Sequence, residues 1–198
     1  MRLIVGLGNP GDEYAWTPHN AGFHGIDALA RRAGIRVTRP EAKSYIGRGT
    51  IAGEEVVLAK PQTMMNLSGA AVRMLLERYE ADAAATIVLS DDVALPWGML
   101  RIRERGSAGG HNGLKSLIGA IGGDFVRVRM GVGPEKVWGD LADYVLGPMG
   151  RAERETASQM AEDAAEAVEL ILSEGVGKAM SKYNRRASPE EEGIEPEQ

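Results

Sequence analysis

The sequence contains no cysteine among its 198 residues. This absence excludes a disulfide-stapled scaffold, thiolate zinc sites, iron–sulfur clusters and a cysteine nucleophile. The sequence also lacks an apolar run of about 20 residues, the length that crosses a bilayer as a helix. Its first eight residues, MRLIVGLG, are too short for the apolar region of a signal peptide. We therefore expect a cytoplasmic protein that has no membrane partner.

Two motifs that mark common catalytic sites are also missing. There is no G-x-S-x-G nucleophile elbow and no G-x-x-x-x-G-K-[ST] phosphate-binding loop. A serine nucleophile is therefore unsupported, and any hydrolysis would use an activated water molecule.

The charged residues are unevenly distributed. The whole chain carries a formal net charge of −5, but residues 151–198 hold 6 basic and 12 acidic residues. Residues 99–136 hold 7 basic and only 3 acidic residues. This local excess suits an anionic partner, although on charge alone a solvated basic face is the simpler interpretation.

Apolar periodicity and turn residues predict alternating strands and helices. The predicted strands are Arg2–Leu7, Ser44–Ala52, Glu54–Lys60, Thr86–Leu89, Gly98–Arg103 and Val126–Val132. The predicted helices are Asn20–Ala33, Asn66–Tyr79, Asn112–Ile121, 150–172 and 174–184. We predict one α/β domain over residues 1–187, with a mixed twisted β-sheet flanked by helices. Residues 188–198 are predicted to be a disordered acidic tail.

The first strand leads into the turn Gly6-Leu7-Gly8-Asn9-Pro10-Gly11. These letters fit G-x-G-x-x-G, but a dinucleotide site also needs a helix that opens at this turn, and prolines crowd that span. A tight turn that requires flexible glycines is the simpler interpretation. Asn9 is the polar side chain at this sheet edge, where ligands of open α/β sheets bind.

Histidine is scarce, and one of the three histidines suits catalysis. His19 precedes a predicted helix within the loop segment YAWTPHNAG, where a near-neutral imidazole can act as a general base. Asp91 follows a predicted strand and can orient such a histidine. The Asp91-Asp92 pair is weak evidence for a metal site. His24 lies inside the first predicted helix, and we interpret it as structural.

Two further segments place polar side chains at predicted helix starts. PQTMMNLSG puts Asn66 at a helix cap, either as a simple cap or with its amide in a cleft. GSAGGHNGLK puts His111 and Asn112 at the N-terminus of a helix, a position that favours anions.

In this order, the blocks GLGNPG…Y…HNAG, MNLSG, DD…LPWG and GSAGGHNGLKS resemble bacterial peptidyl-tRNA hydrolases over roughly residues 2–185. The resemblance implies a monomeric α/β enzyme that cleaves the ester between a peptide and the 3′-terminal ribose of tRNA, without metal or cofactor. It implies that His19 is the catalytic base and that Asp91 holds it. Substrate-binding roles are implied for Asn9, Tyr14, Met64, Met65, Asn66, His111 and Asn112. Contacts with tRNA phosphates are implied for Arg103, Lys115 and Arg129.

The sequence departs from the common family pattern at three positions. Met64 stands where an aromatic residue is common, which removes a stacking partner for the 3′-adenine. Ala94 replaces the second acidic residue of the stretch that begins at Asp91, and Pro18 replaces an arginine before His19. These departures bear on substrate affinity more than on chemistry. Two other functions remain open: an RNA-binding module without hydrolysis, and a nucleotide-dependent enzyme that uses the Gly6–Gly11 turn.

Overall fold

A computed structural model describes residues 1–136 and 138–184. Within these ranges a single sheet contains seven strands in the order β2-β3-β4-β1-β5-β7-β6. The strands are β1 (Arg2–Gly6), β2 (Arg39–Glu41), β3 (Ser44–Ile51), β4 (Glu54–Pro61), β5 (Thr86–Pro96), β6 (Leu100–Arg103) and β7 (Val126–Gly133). The helices are α1 (Ala21–Ala33), α2 (Ser68–Arg78), α3 (Asn112–Ile121), α4 (Leu141–Leu146), α5 (Arg151–Glu174) and α6 (Val176–Tyr183).

The sheet is mixed, as predicted. Its central strands β4, β1, β5 and β7 run parallel, while β2, β3 and β6 pair antiparallel at the two edges. The carboxyl end of β1 therefore lies beside Leu89 of β5, two residues before Asp91. Because ligands of open α/β sheets bind outside this edge, the fold places Asn9 and Asp91 in the expected region.

Helices cover both faces of the sheet. One core is formed by α1, α5 and α6 against Ile4, Leu89 and Val128. The other is formed by α2 and α3 against Leu3, Val5 and Val88. The alternation of side chains along each strand divides neighbours in sequence between these two cores. The predicted single α/β architecture is confirmed.

Two predicted boundaries are wrong near the functional residues. Strand β5 does not end at Leu89 but continues to Pro96, because β7 pairs with it through Ser90, Asp91 and Asp92. Asp91 therefore lies within a strand. Helix α2 begins at Ser68 and has no side-chain cap, while Asn66 lies in a preceding 3₁₀ turn over Met65–Leu67. Asn66 is thus not a helix cap.

Two short elements were not predicted. Strand β2 extends the sheet at one edge by three residues. Helix α4 lies between β7 and α5, and its first turn is capped by the side chain of Asp140, which accepts a hydrogen bond from the Ala142 N–H. The predicted disordered tail, residues 188–198, lies outside the described residues.

Gly6, the first residue of the Gly6–Gly11 turn, allows α1 to pack closely against β1. A Cβ built at Gly6 would lie 2.2 Å from the carbonyl oxygen of Gly22, so these two glycines let α1 lie directly against β1. No α-helix opens at Gly11; a 3₁₀ turn over Asp12–Tyr14 follows, and α1 begins only at Ala21. The geometry of a dinucleotide-binding turn is therefore not formed here.

Among the described residues, no helix combines the length and the apolar character that crossing a membrane requires.

Candidate active site

His19 and Asp91 meet at the carboxyl edge of the sheet. His19 lies in a 3₁₀ turn over Pro18–Asn20, which leads into α1 and begins with a proline, a residue suited to the first position of a helix. Asp91 lies on β5 and is 3% exposed. The Nδ1 atom of His19 is 2.8 Å from Oδ2 of Asp91. The pairing predicted from the two separate motifs is thus formed.

Asp91 has a second histidine partner. The Nε2 atom of His111 is 2.7 Å from Oδ1 of Asp91. His111 is also the N-cap of α3, where its Nδ1 accepts hydrogen bonds from the N–H groups of Gly113 and Leu114 at 3.1 and 3.2 Å. The family resemblance implied a substrate-binding role for His111, but the sequence gave no signal for this contact with the carboxylate.

The hydrogen-bond partners determine the tautomer of each ring. A carboxylate accepts hydrogen bonds, so His19 carries its proton on Nδ1 and presents an unprotonated Nε2 when neutral. His111 accepts two N–H groups at Nδ1 and donates from Nε2 to Asp91. The nitrogen of His19 that can accept a proton is therefore Nε2.

Asp91 remains ionised although it is buried. Burial by itself raises the pKa of a carboxyl group. Here the electrostatic attraction and the hydrogen bond of His111, followed by those of His19, outweigh burial and hold the pKa of Asp91 well below its ordinary value.

Asp91→Asn should lower the free energy of unfolding by about 1–3 kcal/mol at pH 7, because hydrogen bonds to a charged acceptor are lost. The pKa of Asp91 is lower in the folded than in the unfolded chain. Its stabilisation is therefore present above the unfolded pKa of about 4 and is lost as the pH falls through the folded value. Urea unfolding followed by circular dichroism should show the difference between wild type and variant shrinking from pH 7 to pH 3. The exposed Asp124→Asn is the control, and a difference that is independent of pH would contradict the assignment.

Two buried hydrogen bonds join the side chain of Asn20, the residue after His19, to the backbone of Asn9. The Asn9 N–H donates to Oδ1 of Asn20 at 2.9 Å, and Nδ2 of Asn20 donates back to the Asn9 carbonyl at 3.0 Å. Oδ1 of Asn9 accepts the Met65 N–H at 2.7 Å. Asn9 thereby joins the turn after β1 to the segment that carries Asn66. Asn20, which the sequence suggested only as a helix start, is a structural member of this site.

A cavity of about 350 Å³ opens beside the pair. Its walls include His19, Asp91, Arg129, the loop 108–112 and five residues of α4 with its cap: Asp140, Leu141, Ala142, Val145 and Leu146. His111 and Asn112 thus share this cavity with the catalytic candidates. Helix α4 forms one wall of the cavity. The sequence did not predict this helix because six residues are too few to show a helical periodicity.

The other predicted substrate-binding residues lie outside the walls of this cavity. Met64 is 44% exposed, while Met65 is buried against Gly113. Asn66 is exposed in its 3₁₀ turn, and Tyr14 is half-buried in the turn before His19. An extended substrate could contact them only by reaching beyond the cavity.

The basic residues of 99–136 divide into buried and exposed groups. Arg127 is fully buried, stacks on Phe125 and donates to the carbonyl oxygens of Gly106, Gly123 and Phe125. Burial, followed by the charge of Arg129, lowers the pKa of the Arg127 guanidinium. The alternation of side chains along β7 places Arg127 on one face of the strand. It is the loops packed over that face that make Arg127 inaccessible to an anion.

Arg129 is mostly buried and bonded within the protein. It contacts Asp92 at 3.5 Å and donates to the Ser107 carbonyl at 3.1 Å. Arg103 is half-buried and Lys115 is exposed on α3, and neither forms an ion pair within residues 1–136 and 138–184. These two cations are thus more accessible to phosphates than Arg129.

The cluster of His19, Asp91 and His111 is the one candidate for metal ligation within the described residues. One ring nitrogen of each histidine lies at hydrogen-bond distance from the carboxylate of Asp91, His19 Nδ1 at 2.8 Å and His111 Nε2 at 2.7 Å. This spacing matches N–H···O bonds and leaves no room for an ion between nitrogen and oxygen. The short distances within this cluster are therefore explained by N–H···O hydrogen bonds.

His24 has the structural role that was predicted. Its Nε2 is 2.7 Å from the Ala15 carbonyl, and its ring packs against Trp16. Burial lowers the pKa of His24, so its neutral form is favoured.

Comparisons with known proteins agree on one family. The family model described as "Peptidyl-tRNA hydrolase" matches residues 3–191. The peptidyl-tRNA hydrolase of Koribacter versatilis is 51% identical over 197 residues, covering 98% of each chain. That of Alkaliphilus oremlandii is 48% identical and covers 93% of this chain and 100% of its own. A crystal structure of peptidyl-tRNA hydrolase from Acinetobacter baumannii superposes with a TM-score of 0.87 at 36% identity, covering 93% of this chain and 94% of that one.

Proposed function

Because the chain belongs to the peptidyl-tRNA hydrolase family, we propose that His19, held by Asp91, is the general base of its reaction. The enzyme hydrolyses the ester between a peptide and the 3′-terminal ribose of tRNA, which recycles the tRNA. The observation that carries the proposal is the 2.8 Å contact of His19 Nδ1 with the buried Asp91, at the wall of the cavity.

The reaction proceeds through an activated water. Nε2 of His19 takes a proton from water, and the water oxygen forms a bond to the ester carbonyl carbon. Asp91 stabilises the imidazolium that results. The tetrahedral intermediate then collapses, the bond to the ribose oxygen breaks, and the imidazolium returns the proton to that oxygen. The products are tRNA with a free 3′-hydroxyl and a peptide carboxylic acid, which releases its proton to solvent and becomes a carboxylate.

The remaining site residues are assigned to substrate binding. We assign the Asn66 amide to the developing oxyanion, with its segment held by the bond from the Met65 N–H to Asn9. Asn9 discriminates the blocked from the free α-amine, and Asn112 binds the peptide or the terminal nucleotide. His111 and Met65 line the cleft, and Tyr14 and Met64 contact the tRNA end.

We assign a monomeric, cytoplasmic state to the enzyme. His19 and His111 of the same chain bond both carboxylate oxygens of Asp91, so this pair of contacts needs no residue from a second copy. Sedimentation at assay concentration tests the monomer.

The direct test is release of N-acetyl-aminoacyl groups from tRNA in the presence of EDTA, with unblocked aminoacyl-tRNA beside it. We expect cleavage of the blocked substrate alone, which would show the reaction class and its independence of added metal together. Retained tRNA binding without cleavage would instead favour an RNA-binding module.

We expect Arg103 and Lys115 to bind tRNA phosphates. The double variant Arg103→Gln/Lys115→Gln should raise KM and flatten the slope of log affinity against log salt by about 0.7–0.9 per residue, with kcat changed little. Fluorescence anisotropy with labelled tRNA at several salt concentrations measures the slope. Arg151→Gln/Lys178→Gln removes the same charge from exposed positions on α5 and α6 and is the control. An unchanged slope in the first variant would count against this assignment.

A further inference from the structure

His111 uses both of its ring nitrogens in the folded protein. Nδ1 accepts the N–H groups of Gly113 and Leu114 at the start of α3, and Nε2 donates to Oδ1 of Asp91. The two N–H groups at Nδ1 exclude a proton on that atom, since three donors would otherwise face one another. The N-terminus of α3 therefore selects the neutral tautomer that has a proton on Nε2.

We propose that His111 is a positioning residue for the reaction, and that it acts by holding Asp91. This inference rests on the proposed role of His19. With Oδ1 bound to His111, the carboxylate cannot rotate, and Oδ2 stays 2.8 Å from His19 Nδ1. Helix α3 thus fixes the carboxylate, and the carboxylate fixes the base.

Burial makes this second donor necessary. The side chains of Asp91, His111 and His19 are only 2%, 8% and 11% exposed, so water cannot easily replace a lost partner. An unpaired oxygen on a buried carboxylate is costly. Two donors on separate elements, one before α1 and one before α3, satisfy one oxygen each.

His111 also divides the charge of Asp91. A carboxylate that receives two donors interacts less strongly with either of them than a carboxylate that receives one. Without His111, Asp91 would hold the protonated form of His19 more tightly, and the base would become available only at higher pH. The other charged groups on the walls of this cavity are Asp92, Arg129 and Asp140, and Asp92 is 3.5 Å from Arg129.

Two variants separate the cap from the contact with Asp91. In His111→Asn the side-chain oxygen can still cap α3, because asparagine is a preferred N-cap, but it is too short to replace Nε2. In His111→Gln the longer amide can present an N–H toward Asp91, but glutamine caps poorly. We expect His111→Asn to keep the cap of α3 but to lower Tm, because Oδ1 of Asp91 loses its partner, while kcat falls about 10- to 100-fold, the equivalent of losing a hydrogen bond to a charged group. We expect His111→Gln, which restores a partner for Asp91 but weakens the cap, to recover part of kcat and to remain less stable than wild type.

The pH profile distinguishes positioning from a purely structural role. The acid limb of kcat/KM for N-acetyl-aminoacyl-tRNA should move to higher pH in His111→Asn, and part of the way back in His111→Gln. Wild-type kcat and an unmoved acid limb in His111→Asn would overturn the proposal.

A measurement that does not depend on turnover completes the test. Nitrogen-15 NMR of the histidine rings in the wild-type protein should show His111 protonated on Nε2 and unprotonated on Nδ1. The opposite tautomer would overturn the proposal. A wild-type protein that shows the expected tautomer but cleaves no blocked aminoacyl-tRNA would overturn the proposed function, and with it the positioning role.

Discussion

Replacing His19 with alanine should lower kcat for N-acetyl-aminoacyl-tRNA by about 10²- to 10⁴-fold, the usual contribution of a positioned general base. The variant loses the only imidazole whose Nε2 remains unprotonated at the cavity wall while its Nδ1 is bonded to Asp91. Binding of tRNA should remain within a few-fold of wild type, because the exposed cations and the amides stay in place. Single-turnover release of the acyl group and anisotropy with labelled tRNA measure the two effects separately.

The control for this variant is His24→Gln. His24 is bonded to the Ala15 carbonyl and packs against Trp16, away from Asp91. We expect a small loss of stability and nearly unchanged kcat. Comparable turnover by His19→Ala and wild type would show that another group activates the water.

The second large effect is expected from Gly22→Ala, at a position that touches no substrate. A Cβ at Gly22 would lie 2.4 Å from the Leu89 carbonyl oxygen, 2.5 Å from the Leu7 nitrogen and 2.6 Å from the Leu7 oxygen. All three are backbone atoms of Leu7, directly after β1, and of Leu89, within β5, where the Leu7 N–H donates to the Leu89 carbonyl. The first turn of α1 must therefore move away from the sheet.

His19 and Asn20 lie directly before that turn, so they move with it. A misplacement of about 1 Å at a reacting group can cost about 10²-fold in rate, and we expect a loss of kcat of that order. Overpacking should also lower the free energy of unfolding by about 1–3 kcal/mol. Initial rates and urea unfolding measure the two losses.

Two glycines provide graded controls for Gly22. Gly119→Ala, inside α3, adds a methyl group to open space and should stabilise the helix by about 0.5–1 kcal/mol without changing kcat. Gly25→Ala, one turn further along α1, meets only the Leu89 and Met130 side chains and should be intermediate. It also provides a folded comparison if Gly22→Ala proves unstable. Wild-type kcat in folded Gly22→Ala would show that the start of α1 does not position His19.

Most of the fold was predictable because its elements carry local signals. Strand β7 shows clean period two, and α3 begins at Asn112 and ends at Ile121 as predicted. The failures have two causes. Ser90-Asp91-Asp92 looks like the end of a strand, yet β7 pairs with these residues and extends β5 past them. Helix α4 has only six residues, too few for periodicity to register, and it is held by the bond from the Tyr144 hydroxyl to the Val132 carbonyl.

The sequence predicted which residues form the candidate site better than it predicted how these residues are arranged in space. His19 stood out because histidine is rare and this one lies in a loop before a helix. Asp91 stood out as a carboxylate beside a buried strand. Their pairing was expected from the family resemblance, and the structure forms it at 2.8 Å because β1 and β5 are parallel neighbours. The same reasoning counted Arg127 among the cations of a basic face, although the structure buries it under three carbonyl groups.

The sequence by itself determined the fold class, the motif order that points to the family, and the two residues that we propose as the base and its carboxylate. These properties depend on residue types and on spacing along the chain. Only the tertiary structure decided that Asp91 is shared by two histidines, that α4 forms one wall of the cavity, and that Gly22 brings α1 against β1 and β5. Each of these depends on distances between residues far apart in sequence, such as His19 and His111, which meet only when the sheet edge and the starts of α1 and α3 have assembled.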